Sequence, residues 1–177
     1  MDCTCLKKLV WGAVELKQLL INGIQVWKSG YKNWVPVSVD TDGSIYNGCG
    51  YADGYRLSSS GVIKAYDASS ATGFIPASGG DVIRIGGCKW YDTTSAMNYL
   101  CAYDSNFANI GSCTPQGGGY IYGTQVYGTM TGTDSVAVIT LADLQNIAYI
   151  RVSFNDKTSN AYTGADMIVT VNEEITQ

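Results

Sequence analysis

The chain has 177 residues, a length that suits one domain with an appended segment and is enough to bury a sizeable core. Its 21 Gly and 13 Tyr with only 3 Pro describe many short strands joined by tight turns rather than a helical bundle, so the expected class is all-β. The formal charge of -4 divides unevenly: residues 1–35 carry Lys7, Lys8, Lys17, Lys28 and Lys32 against Asp2 and Glu15, and the acidic remainder argues against a nucleic-acid partner.

Histidine is absent, which removes the commonest general base, the usual partner of a nucleophilic Ser or Cys, and the commonest metal ligand. Of the 6 Cys only Cys3 and Cys5 lie close in sequence, so a zinc site is not expected, nor is any cofactor. A reducing cytosol would keep the cysteines as thiols, and their spacing matches no disulfide scaffold. No apolar run reaches the ~20 residues of a membrane span, so no membrane insertion is expected. Met-Asp-Cys-Thr-Cys does not read as a secretion signal.

Along the chain, residues 1–12 admit two readings. Leu6, Leu9, Val10 and Ala13 fall at helical spacing, whereas Val10-Trp11-Gly12 also suits an extended arm. Next, Asn22-Gly23 stands between the apolar runs Leu19–Ile21 and Ile24–Trp27. Both residues adopt the positive φ of a type I′ turn cheaply, and a hairpin from about Lys17 to Lys28 is expected. So small a hairpin needs a neighbour to pack on. Residues 1–35 therefore read as an attachment segment, and the main domain, 36–177, begins near Pro36.

Within that domain Asp40-Thr41-Asp42-Gly43 resembles the start of a calcium loop but lacks its later ligands, so an Asx-type turn is the better reading. Gly48, Gly50 and Gly54 do not form a nucleotide loop, because no helix follows. Thr72–Ile85 reads as a strand, a proline stop at Pro76, a Ser78-Gly79-Gly80-Asp81 turn and a second strand. Alternation places Tyr99, Cys101 and Tyr103 on one face, with Cys101 in the core. A long loop, Ser105 to Gly119, holds a short extended piece at Asn109-Ile110, and a strand runs from Tyr120 to Tyr127. Strands are also expected at Ser135–Leu141, Ala148–Phe154 and Asp166–Asn172, with a helical-looking turn over Ala142–Asn146. Ile150, Val152 and Phe154 share one face and Tyr149, Arg151 and Ser153 the other, the pattern of a half-buried sandwich strand. Eight or nine strands suit an antiparallel jelly-roll β-sandwich.

Several strings carry a resemblance together: Leu20-Ile21-Asn22-Gly23-Ile24-Gln25-Val26-Trp27, Gly54-Tyr55-Arg56-Leu57-Ser58-Ser59-Ser60-Gly61, Thr72-Gly73-Phe74-Ile75-Pro76 with Gly80-Asp81-Val82-Ile83-Arg84, Ala102-Tyr103-Asp104, Ala148-Tyr149-Ile150-Arg151-Val152 and Ile168–Ile175. From Leu16 to Ile175 the chain resembles tail, baseplate and minor structural proteins of phages and prophages of gut Firmicutes, and its core pattern resembles jelly-roll modules of the carbohydrate-binding type. The resemblance implies a non-enzymatic virion protein made in the bacterial cytoplasm, associating with other phage tail proteins and with itself as a homotrimer. Host cell-surface polysaccharide is the implied ligand.

Sugar binding needs aromatic faces for pyranose C–H surfaces and planar polar groups for hydroxyls. Trp90, Tyr91, Tyr120, Tyr122 and Tyr127 are the candidates for the first, and Asp92, Asn98 and Gln125 for the second. The competing reading makes these aromatics cross-strand pairs or subunit contacts of a spacer domain without a ligand. Arg56, Arg84 and Arg151, in strand contexts, suit carboxylate pairing, solvent-reaching side chains or an acidic glycan. For glycoside hydrolysis two carboxylates suffice, with Asp92, Asp104 and Asp134 as candidates. The acidic residues sit mostly in turns beside Gly, Ser or Asn, so catalysis is not expected.

Overall fold

The computed structural model describes residues 9–11, 14–16, 18–21, 24–28, 35–36, 50–88, 90, 98–114, 121–122, 126–132, 136–155 and 164–175. Before residue 50, and at 121–122, 155 and 165, the description is of backbone alone. All regular structure among these residues is extended, apart from a single 3-10 turn at Gly164–Asp166.

Near the N-terminus β1 (Leu9–Trp11) pairs antiparallel with β2 (Val14–Leu16), so the extended reading holds there. β3 (Gln18–Ile21) pairs antiparallel with β4 (Ile24–Lys28), and Ile21 faces Ile24. That register is the hairpin expected from the Asn-Gly signal, although Asn22 and Gly23 lie outside the described residues, as does Asp40–Ser44.

The main body is two sheets. Its strands are β5 (Val35–Pro36), β6 (Gly50–Leu57), β7 (Ile63–Thr72), β8 (Ile75–Pro76), β9 (Val82–Gly86), β10 (Tyr99–Tyr103), β11 (Asn109–Cys113), β12 (Ile121–Tyr122), β13 (Tyr127–Gly132), β14 (Val136–Leu141), β15 (Tyr149–Asn155) and β16 (Ile168–Val171). The larger sheet runs β12-β11-β10-β15-β7-β6-β5, and the smaller runs β13-β14-β9-β16. All pairings are antiparallel except β5 with β6. Asn109-Ile110 thus opens a five-residue strand. Ala142–Asn146 is an irregular hydrogen-bonded turn rather than helix, with the Leu144 amide donating to Ala142 O at 2.8 Å.

The chain alternates between the sheets, and Thr72–Ile85 shows how. β7 and β8 lie in succession against β15, which Ser69–Ala71 pairs at one end and Ile75-Pro76 at the other. Between them the Thr72 side chain replaces the ladder: its hydroxyl accepts from the Val152 amide at 3.0 Å, and its carbonyl accepts from Arg151 Nε at 2.9 Å. Pro76 ends this edge. The chain then turns at Ser78–Asp81, where Asp81 Oδ2 accepts from the Ser78 amide at 2.7 Å and Gly80 takes φ 81°. It enters the smaller sheet as β9.

Between the sheets lies the principal core. Ile75, Leu100, Ala102, Ile150, Val152 and Phe154 come from the larger sheet, and Ile83, Ile85, Ala137, Ile139, Leu141 and Val169 from the smaller. The molecule is therefore an all-β sandwich, held by apolar side chains at alternate positions. Each fully buried Leu, Ile or Phe contributes about 1.5–3 kcal/mol relative to exposure.

The other face of the larger sheet departs from the half-buried pattern. Arg151 and Ser153 are as buried as Val152, and every residue of β10 is buried. The cause is the β6–β7 hairpin, whose tip folds over that face. The Leu57 amide donates to Ser153 Oγ at 3.2 Å, the Cys101 thiol to Ser58 O at 3.7 Å, the Ser112 hydroxyl to Ser59 O at 2.7 Å and the Tyr103 hydroxyl to Gly61 O at 2.6 Å. Beneath it Leu57, Ala71, Phe74, Tyr99, Cys101 and Tyr103 form a second cluster.

Candidate functional site

Trp90 must be removed from any ligand-facing surface. It is fully buried, in the principal core, and its indole N–H donates to Ser153 O at 3.1 Å. Asn98, expected to serve sugar hydroxyls, is also buried and donates its side-chain amide to Trp90 O at 2.8 Å. An aromatic ring with its N–H satisfied inside a close-packed core offers no face to a ligand. Tyr127 packs against the same core, and burial first, then the neighbouring Cys113, pushes its phenol up. Tyr91, Asp92, Tyr120, Gln125 and Asp134 lie outside the described residues, and the Tyr122 side chain is likewise not described. The structure does not gather the proposed set into one surface among the described residues.

A different group of aromatics is brought together at the outer face. Phe74, from the link between β7 and β8, sits edge-on to Tyr103 with centroids 4.9 Å apart. It is also 4.7 Å from the ring of Phe107 and 6.0 Å from that of Tyr149. Phe107 and Tyr149 stack at 4.9 Å with 27° between their planes. Three separate segments meet here: the β7–β8 link, the β10–β11 turn and the start of β15.

The turn that carries Phe107 is built by Asp104. Its Oδ1 accepts from the amides of Asn106 at 2.8 Å and Ala108 at 2.9 Å, while the Phe107 amide donates to Asp104 O at 3.1 Å. Asp104, the one described residue of the suggested carboxylate trio, is thus committed to a turn. Phe107 has φ 63°, a left-handed conformation uncommon for a bulky side chain, and its side chain is 41% exposed. Among the described residues the one other large hydrophobic side chain so exposed is Val62, at the hairpin tip. An exposed ring held at a backbone cost has the character of a functional position.

Beneath the aromatics lies Arg151. Its guanidinium carbon is 4.8 Å from the centre of the Phe74 ring, a cation–π contact worth roughly 0.5–2 kcal/mol. Burial pushes the Cys101 thiol up to about 12, offset in part by Arg151. Burial also raises the Tyr103 phenol, and the Cys101 thiol adds to that rise. The site thus has a floor of neutral thiol and phenol groups around a buried cation, the exposed Phe107 ring stacked on a half-buried Tyr149 on top, and a polar rim of Ser105 and Asn106, both exposed.

The other two strand arginines take the ordinary roles. Arg84 pairs with Glu174 and donates to Glu173 O at 3.2 Å, and Arg56 lies 4.5 Å over the ring of Tyr66. Among the described residues no group of three or more Cys, Asp or Glu is placed to hold a metal ion.

Phe107 escapes a reading by strand patterns because it lies in a turn with no alternation around it. The signal available was Asp104, whose position before Ser-Asn suits an Asx turn and a ring carried at its tip. No family model, curated protein or solved structure matches the chain.

Proposed function

We propose that the chain is a non-enzymatic accessory domain of a phage tail or baseplate that binds host-surface glycan. Residues 1–35 serve as the attachment segment and 36–177 as the presented sandwich, in the virion. Resemblance of the strings from Leu16 to Ile175 supports the phage assignment. The sandwich is read as a jelly roll, which the interleaved strand order supports: β15 lies between β10 and β7, and β9 between β14 and β16.

The observation that carries the binding reading is the exposed Phe107 ring, stacked on the half-buried Tyr149. Pyranose rings present apolar C–H faces, and a fixed aromatic ring meets them without an ordering cost at binding. Asp104 supplies that fixity by holding the turn. Asn106 and Ser105 beside the ring are amide and hydroxyl groups of the type that read sugar hydroxyls.

Binding of the purified protein to a glycan array, and to Firmicute cells and their wall polysaccharide, tests the reading. Saturable binding that is lost in Phe107→Gly is expected. A folded protein that binds neither cells nor polysaccharide would instead be a spacer domain. The uncharged outer edge of the smaller sheet is what favours that second reading.

A further inference from the structure

Among the described residues the two sheets end in four edge strands, and three of these edges are blunted. β12 and β5 have two residues each, and β5 includes Pro36. β16 has four residues and runs into Asn172 at φ 60°, then Glu173 and Glu174. Short length, proline and charge are the devices by which sheets avoid pairing with a neighbour. β13 has none of these three, and a further such device, a bulge, touches only its start. It is six residues long, Tyr-Gly-Thr-Met-Thr-Gly, without charge or proline. A register shift between Tyr127 and Thr129 confines the irregularity to its start, and Thr129 to Gly132 pair regularly with Thr140 to Ala137.

Gly128-Thr129-Met130-Thr131-Gly132 reads the same in both directions. An antiparallel partner with this sequence, related by a two-fold axis through Met130, would set Met130 opposite Met130, each Thr129 opposite Thr131 and each Gly128 opposite Gly132. No like charges meet, threonine pairs are favourable across strands, and the self-complementarity is what an isologous interface requires. Gly128, Thr129, Thr131 and Gly132 are exposed, while Met130 is half-buried against the core.

We propose that β13 is a homodimerisation edge: two copies of this chain join β13 to β13 antiparallel about Met130, making one continuous sheet from their two smaller sheets. The dimer forms with or without a glycan ligand, and its two-fold geometry differs from that of a trimeric appendage. A contact of one short strand on each side is small, so association in the micromolar range is expected.

The test is sedimentation-equilibrium or light-scattering mass measurement across the micromolar range, on three forms of the full chain. The wild type approaches twice the monomer mass. T129K/T131K sets lysine against lysine twice across the axis and raises the dissociation constant about tenfold or more. T129K/T131E sets lysine against glutamate twice and keeps the dimer. Circular dichroism melting reports the fold of each variant. Independently, M130C places two thiols across the axis, and mild oxidation followed by peptide mapping yields a 130–130 disulfide. A wild type that stays monomeric or gives a trimer mass overturns the proposal. So does a folded Lys/Lys variant that associates like the wild type, a folded Lys/Glu variant that does not associate, or the absence of the 130–130 cross-link.

Discussion

The two faces of the larger sheet are buried by different means. The inner face is covered by a second sheet, and its side chains are aliphatic at alternate positions: Leu100, Ala102, Ile150 and Val152 against Ile83, Ile85, Ile139 and Val169. Among the described residues the outer face is covered by the tip of one hairpin and one tight turn. There the filling is aromatic and polar, tied by Tyr103 to Gly61, Arg151 to Thr72 and Leu57 to Ser153. Regular alternation makes a core that excludes everything. A face closed by turns leaves its rim open, and that rim is where Phe107 and Tyr149 stack in reach of solvent.

If the inner face is the main source of stability, its largest side chain should matter most. Trp90→Ala removes a fully buried ring and leaves Ser153 O without its donor, so a loss of about 3–5 kcal/mol is expected by urea denaturation. The outer face should respond next, through its hairpin tip. Gly61 has φ 73°, and a Cβ there would lie 2.8 Å from the Tyr103 hydroxyl and 2.5 Å from Asn109 Nδ2. Gly61→Ala should cost about 1–3 kcal/mol in the same assay.

These two positions also show what is legible in a sequence of this kind. Alternation in Ala148–Phe154 identifies Ile150, Val152 and Phe154 as core, and the Asn22-Gly23 pair foretells the two strands that flank it. Burial of Arg151 and Ser153 is invisible to the same pattern, because it depends on segments far away in the chain, Thr72 and Phe74 against Arg151 and Leu57 against Ser153. Trp90 looks like a sugar platform in sequence because a Trp-Tyr pair beside a polar loop carries no periodicity to mark it as core. Phe107 is not marked by alternation, because its role arises from a turn and from Phe74 and Tyr149, each distant in sequence. Local signals report strands and turns; which face a third segment covers is long-range information.

A smaller effect, dependent on pH, is common to both faces. Burial pushes both Cys88, in the inner core, and Cys101, under the outer hairpin, up to about 12 from an ordinary 9.0. The unfolded chain releases these protons first, so the thiols' contribution to stability is constant below pH 9 and falls as pH rises towards 12. Cys88→Ala and Cys101→Ala should each flatten that decline in melting temperature. At neutral pH both thiols should resist alkylation until unfolding, as peptide mapping would show, because buried thiols are poor nucleophiles.

The smallest change in stability is expected at Phe107. Glycine relieves the left-handed backbone while losing ring contacts, so Phe107→Gly should leave stability within about 1 kcal/mol of the wild type. The most direct measurement is therefore saturation-transfer NMR of host-wall polysaccharide with the wild type and with Phe107→Gly, beside their melting curves. The outer-face account predicts transfer to sugar ring protons from the wild type, none from the variant, and nearly equal melting temperatures. Equal transfer from both proteins, or none from either, would contradict it.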